Sequence, residues 1–233
     1  MRKISRFSPN SSTVGHVAVS AHYAELISNE DQHMSHWSDE HAHDYDERWG
    51  QLAFHQLIPQ LANVRPGHRI VEIGCGGGFL SLCLAQSQPN VTVLALDPSA
   101  AMIERAHKRQ QQAGIGPEQL SFALAGAEQL DVMPASQDLI VAAFSLHHWQ
   151  QPEVAMTRLT QALKPGGRFW LCEDLNTPSF GDLDVHQQLK MLPGIEALLR
   201  DFGFRDITHR THHTDEGDFL EVQGVRPVQE LAL

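Results

Sequence analysis

Four glycines occupy positions 74, 76, 77 and 78, directly after the apolar run Ile70-Val71-Glu72-Ile73 and directly before Phe79-Leu80-Ser81-Leu82. No other stretch limits the fold as tightly. Glycine adopts backbone angles closed to other residues and lets a ligand approach the main chain without a Cβ in the way. The pattern reads as a buried strand, a sharp bend bare of side chains, and a helix whose first N–H groups have no partner within the helix. The spacing also separates this bend from a dinucleotide fingerprint. Counted from Gly74, a G-x-G-x-x-G motif needs glycine at its sixth position, where Phe79 stands. The spacing is instead acidic-x-Gly-x-Gly-x-Gly, starting at Glu72.

From this bend to about residue 202, strand-like and helix-like stretches alternate. Strands are expected at 69–74, 91–97, 120–126, 138–145 and 168–174, and helices over 78–87, 99–113, 152–163 and from Leu192 to Phe202. Ser99 is a candidate N-cap and Gly114 a stop for the 99–113 helix. Pro152 suits a first helical turn. An earlier helix over 50–63 places Leu52, Phe54, Leu57, Ile58 and Leu61 on one face and is interrupted at Pro59. Pro66-Gly67 and Lys164-Pro165-Gly166-Gly167 read as turns. Strands separated by helices pair in parallel through crossovers. The stretches 206–212 and 219–225 have only a turn with Asp215 and Gly217 between them, so they pair antiparallel. The expected fold is α/β: a Rossmann-like, doubly wound seven-stranded sheet, mostly parallel, with an antiparallel C-terminal hairpin. Such sheets bind ligands beyond their C-terminal strand ends, where strand order reverses.

Composition narrows the function classes. With 17 basic and 28 acidic residues the net charge is −11, which gives no general attraction to phosphate backbones, so no nucleic-acid partner is expected. No apolar run reaches the roughly eighteen residues of a membrane span. Cys75, Cys83 and Cys172 are an odd set without a C-x-x-C pair, which excludes a disulfide framework and fits a reducing compartment. The basic first residues are not followed by the apolar segment of a secretory signal, and the expected location is cytoplasmic. Residues 1–49 are rich in acids and histidine and poor in periodic apolar content. They are expected to form a polar segment, disordered at its start, that ends in a cap anchored by Trp37, Tyr45 and Trp49. The main domain is then 50–233.

Asp97 ends the expected second strand nineteen residues beyond Gly78. A carboxylate at that strand end can accept both hydroxyls of a ribose. Together with VEIGCGGG (71–78), LALDPSAAMIERA (94–106), AGAEQL (125–130), QDLIVAAFSLHHW (137–149) and LKPGG (163–167), it makes residues 45–227 resemble the class I S-adenosylmethionine-dependent methyltransferases, in particular the small-molecule and quinone methyltransferase group. The resemblance implies S-adenosyl-L-methionine as cofactor and S-adenosyl-L-homocysteine as product. By position it implies that Gly74, Cys75, Gly76 and Gly78 form the bend against which the cofactor's methionine part lies. Glu72 would hold the bend and the cofactor's amino group, and Asp97 the ribose hydroxyls. Pro98 and Met102 would give adenine an apolar surface, the Ala127 backbone and the Glu128 side chain would edge it, and Ser145 would border the methionine end. Tyr45 stands where the family often has a tyrosine covering the cofactor. The family commonly has aspartate where this chain has Gly126, so that adenine contact falls to Glu128 or to backbone.

Methyl transfer is an in-line displacement in which positioning supplies much of the acceleration. A general base is needed only where the acceptor keeps its proton at neutral pH. His147 and His148 follow the fourth strand and titrate near neutrality, so they are the candidate bases. The histidines at 36, 41 and 43, and His209, His212 and His213, show no metal-ligand spacing and read as solvated polar faces. The segment 175–190, together with residues 20–50, is the expected lid over a small-molecule acceptor. Two other functions compete with this one: methylation of RNA or protein, which the acidic charge opposes, and a cofactor-binding module without transfer.

Overall fold

The computed structural model describes residues 39–175 and 189–228. The order of the elements follows from which runs can be buried on two sides. Helices α1 (Asp39–Trp49) and α2 (Ala53–Leu61) lead into β1 (Arg69–Ile73), α3 (Phe79–Gln86), β2 (Thr92–Asp97), α4 (Ala100–Ala113) and β3 (Leu120–Leu124). Then come β4 (Gln137–Ala143), α5 (Pro152–Ala162), β5 (Leu163–Asp174), α6 (Leu192–Asp201), β6 (Arg205–Thr214) and β7 (Gly217–Val225). They build one seven-stranded sheet in the order β3-β2-β1-β4-β5-β7-β6. The pairs among β1 to β5 are parallel, and β7 pairs antiparallel with both β5 and β6. This is the α/β, Rossmann-like sheet the alternation of runs predicts, with the hairpin at one edge.

The central strands are apolar throughout because both of their faces are covered. Val71, Ile73, Ile140, Phe169 and Leu171 pack into one cluster with Met156, Leu159, Ile195 and Leu199 of α5 and α6. Their sequence neighbours Ile70, Leu139, Val141, Trp170 and Cys172 pack into a second cluster with Phe54, Ile58, Leu80 and Leu84 of α2 and α3. Period-two alternation thus sends adjacent residues into opposite layers. The chain grows outward from β1 through β2 to β3, then returns to β4 on the other side of β1. The crevice between the ends of β1 and β4 is therefore the switch point, and the glycine bend leaves β1 at that place.

Local signals operate where expected. The Ser99 hydroxyl accepts the Met102 N–H, and Gly114 closes α4 at φ +66°. Pro152 lies in the first turn of α5. Two turn or breaker signals are overridden. Pro59 lies buried inside α2 and removes one helical bond there, a loss outweighed by the burial of Phe54 and Ile58 on the same helix. Lys164-Pro165-Gly166-Gly167 is not a free turn but an irregularity within β5. Gln137 pairs with Leu163 and Leu139 with Arg168, so the tetrapeptide bulges between two paired segments. Gly166, at φ +79°, donates to the Arg226 carbonyl, and Arg226 N–H donates back to Gly167. Proline and glycine here make a bulge because the strand has partners on both sides of them.

No helix among the described residues is long and apolar enough to cross a membrane. Of the expected lid, only Leu175, Leu189 and Lys190 are described. Of the expected N-terminal segment, described residues begin at Asp39, so Trp37 and the histidine at 36 lie outside them.

The start of α2 has no cap of its own, since Leu52 offers no side-chain acceptor. The carboxylate of Glu216, in the β6–β7 turn, takes the place of one. It accepts the Ala53 N–H at 2.7 Å and the Phe54 N–H at 3.0 Å, which satisfies two orphan donors and puts negative charge at the positive end of the helix. Replacing it by alanine (Glu216→Ala) should cost about 1 kcal/mol, the usual worth of a cap, read as a lower urea midpoint with an unchanged slope. Glu216→Gln should retain part of that.

Candidate functional site

The bend from Gly74 to Gly78 is laced to the neighbouring strand. The N–H groups of Gly74 and Cys75 both donate to the Leu96 carbonyl of β2, at 2.8 and 2.9 Å. One residue further on, Gly76 donates its N–H to Oδ2 of Asp97 at 2.8 Å. The other oxygen, Oδ1, accepts the Ser99 N–H at 2.9 Å. A carboxylate has about four acceptor positions, so each Asp97 oxygen keeps capacity for one more donor, such as a ribose hydroxyl. Asp97 is 3% exposed, and burial, opposed by these two backbone donors, pushes its carboxyl up to about 6.

Two glycines of the bend are set by conformation and approach together. Gly74, at φ +75°, would place a Cβ 2.4 Å from Cβ of Ser145, the residue after β4 that borders the crevice on its other side. The Ser145 hydroxyl donates to the Ile73 carbonyl at 2.8 Å, which ties the two loops together. Gly76, at φ +50°, has nothing within 4 Å of its Cβ position. It is the open floor of the bend. Gly78, at φ +80°, starts α3 against Ala106 of α4.

The remaining candidates surround this floor. Glu72 is buried and accepts the Ser81 hydroxyl at 2.5 Å. Burial raises its carboxyl to about 8, with the nearby Asp97 charge adding to the rise. The thiol of Cys75 is pushed well above its usual value, by burial first and then by Asp97 and Glu72. It is therefore a neutral packing group in the bend and no nucleophile. Pro98 and the buried Met102 open the α4 side. On the far side of β2, Ala127 is buried in a single 3-10 turn, and the Glu128 carboxylate accepts the Gln151 N–H at 3.0 Å, which joins this turn to the start of α5. Tyr45 is half-buried on α1, next to Asp46, which reaches the bend.

His147 and His148 stand in a short turn after β4 with ring centroids 3.9 Å apart. Nδ1 of His147 is 2.7 Å from Oε2 of Glu173, and Oε1 of Glu173 accepts the Leu146 N–H at 3.0 Å. Glu173 is wholly buried at the end of β5, and burial pushes it up to about 8. Sequence reasoning did not single it out. Its only signal was an acid in the last turnings of an otherwise apolar strand. Phe144, just ahead, takes φ +54°, a left-handed conformation that costs a bulky side chain about 1–3 kcal/mol and tends to persist at functional sites.

Three buried carboxyls with raised values make the stability of the fold depend on pH. A carboxyl with a higher value folded than unfolded stabilises the fold below its unfolded value, and that contribution is lost as pH rises through its folded value. For Glu72 the window runs from 4.5 to about 8. Urea unfolding followed across that range should show stability falling with pH in the native sequence, and falling less steeply in Glu72→Gln.

The matches to known proteins fit this geometry. Residues 70–167 match the family model described as a methyltransferase domain. The chain is 31% identical over 169 residues to the 27-O-demethylrifamycin SV methyltransferase of Amycolatopsis mediterranei, covering 70% of this chain and 59% of that protein. It is 31% identical over 121 residues to a ubiquinone/menaquinone biosynthesis C-methyltransferase of Rubrivivax gelatinosus, covering 52% of this chain and 45% of that one. The chain thus spans about half of the length of these curated relatives. Among solved structures, phosphoethanolamine N-methyltransferase 2 of Haemonchus contortus, bound to S-adenosylhomocysteine, superposes with a TM-score of 0.68 at 17% identity, over 82% of this chain and 58% of that one. A cyclase, SpnF, superposes with a TM-score of 0.64 at 17% identity, over 75% and 80%. At such identities the structural likeness speaks for the fold alone. With the motifs in order, the sheet reversed at β1 and β4, and the methyltransferase-domain match across the bend, the chain is similar to the class I S-adenosylmethionine-dependent methyltransferases.

Proposed function

We propose that this chain transfers a methyl group from S-adenosyl-L-methionine to a small-molecule acceptor. The observation that carries the reading is the bare bend at Gly76, held open by the Asp97 carboxylate at the sheet's switch point. Asp97 would take the ribose hydroxyls on its remaining lone pairs, Met102 and Pro98 would face adenine, and the Ala127 backbone with Glu128 would edge it. Gly74, Cys75, Gly76, Gly78 and Ser145 would border the methionine part, Glu72 its amino group, and Tyr45 would cover the cofactor. The electrostatics support the same ligand. Asp97, Glu72 and Glu173 are all nearly out of water and all shifted upward by burial. A cation brought among them would relieve that penalty.

When bound, the cofactor supplies a methyl group on a positively charged sulfur, ready for in-line displacement. The protein's own work is to align the acceptor and exclude water. An acceptor that keeps its proton at neutral pH also needs a base. His147 is the better anchored of the two histidines, because its Nδ1 lies 2.7 Å from Oε2 of Glu173, which holds the ring in one orientation. His148 packs against it, with the two rings tilted by 46°, and would shape the acceptor side. The relatives are named for 27-O-demethylrifamycin SV and for ubiquinone/menaquinone biosynthesis, which supports a small molecule here too. The net charge of −11 speaks against RNA.

Incubation with methyl-labelled cofactor and a metabolite extract tests this reading. Label should pass to a small product. Tight cofactor binding with label left untransferred would favour a binding module instead, and label in protein or RNA would move the acceptor class. Once the acceptor is found, His147→Ala and Glu173→Gln should each lower turnover about a hundredfold or more, as loss of general-base catalysis does, with cofactor affinity near normal in His147→Ala. Turnover unchanged in both would remove His147 from the base role.

A further inference from the structure

One glycine of the bend is explained neither by its backbone nor by the cofactor. Gly77 lies outside the left-handed region that Gly74, Gly76 and Gly78 occupy. Any residue could adopt its conformation, yet a Cβ there would lie 2.3 Å from Oδ1 of Asp46 and 2.7 Å from Nη1 of Arg109. A side chain there would have to push the ends of Asp46 and Arg109 out of their present positions. Gly50, which closes α1, is crowded by the same residue, with a would-be Cβ 2.1 Å from Oδ1 of Asp46.

The two side chains form a bridge. Arg109, on α4, donates through Nη1 to the Gly77 carbonyl and through Nη2 to Oδ2 of Asp46, on α1, at 2.9 Å. Both side chains are largely buried, at 18% and 8% exposure. A buried ion pair is a poor staple, because desolvation offsets most of its attraction. What such a pair does well is fix geometry, since the guanidinium offers its donors in a rigid plane. The plane here joins three segments: α4, whose start is tied to Asp97 through Ser99; the bend itself; and α1, which carries Tyr45.

We propose that Arg109 is a positioning residue that locks the bend and helix α1 into one unit, so that cofactor uptake and the seating of α1 are coupled. The proposal rests on the cofactor reading given above. With Arg109 bound to both partners, a bend shaped for the cofactor also holds Asp46 and the adjacent Tyr45 in place. Coupling of this kind is reciprocal: whatever seats α1 strengthens cofactor binding, and bound cofactor steadies α1.

Two measurements test it on the full chain. Calorimetric titration with S-adenosyl-L-homocysteine compares the native protein with Asp46→Asn, Arg109→Lys, their double variant and Gly77→Ala, which alters no charge. Each single change should weaken binding by about tenfold, the loss of a hydrogen bond to a charged group. The double variant should be no weaker than the worse single, because both break one bridge. Independently of any variant, amide hydrogen exchange in residues 39–49 of the native protein should slow when S-adenosyl-L-homocysteine is added. Native-like affinity in folded variants, additive losses in the double, or exchange in 39–49 that ignores the ligand would each overturn the coupling. If the native protein takes up no S-adenosyl-L-homocysteine, the functional reading itself fails and the coupling falls with it.

Discussion

The Asp97 carboxylate is the joint on which the site is assembled. It ends β2, accepts the Gly76 N–H with one oxygen and the Ser99 N–H with the other, and so fixes the bend and the start of α4 in one step. A charge this deeply buried is costly, and its raised value of about 6 records the cost. Two backbone donors offset part of it. The reward is a bend whose shape does not depend on mobile side chains. The Leu96 carbonyl, one residue earlier, holds the two N–H groups that precede Gly76, so every donor from Gly74 to Gly76 is committed to β2. Only the open face above Gly76 is left to a ligand.

The other wall of the crevice is organised by β4 and β5 through the same device, a buried carboxyl engaged by a backbone donor. Glu173 accepts from Leu146 and meets His147, much as Asp97 accepts from Gly76 and Ser99. Ser145 connects the walls through the Ile73 carbonyl. The sheet therefore presents two acids, one on each side of its reversal point, both removed from water. Keeping two acids out of water costs stability, and the arrangement suits a cationic ligand with an ionisable acceptor beside it.

Much of this was legible in the sequence because the signals are local. The apolar runs, the Ser99 cap, the Gly114 stop and the unusual glycine spacing each act within a few residues, and they define the sheet and its switch point. Features that depend on distant partners were not legible. Glu216 caps a helix 163 residues away, and Asp46 meets Arg109 across 63; no periodicity or spacing encodes such pairs. Lys164-Pro165-Gly166-Gly167 carries every mark of a turn, yet strand partners on both sides of it make it a bulge. Gly77 was the one hint in plain sight, a fourth glycine with no place in the acidic-x-Gly-x-Gly-x-Gly spacing, and its reason emerged only when Asp46 and Arg109 were found beside it.

The account stands on Asp97 as both the brace of the bend and the grip on the sugar. Isothermal titration of S-adenosyl-L-homocysteine into the native protein and into Asp97→Asn addresses both at once, with circular dichroism to confirm that the variant is folded. Saturable binding to the native chain, weakened about a hundredfold or more in the variant through two lost hydrogen bonds to charge, is the expected result. Equal affinity in the two proteins would contradict the account.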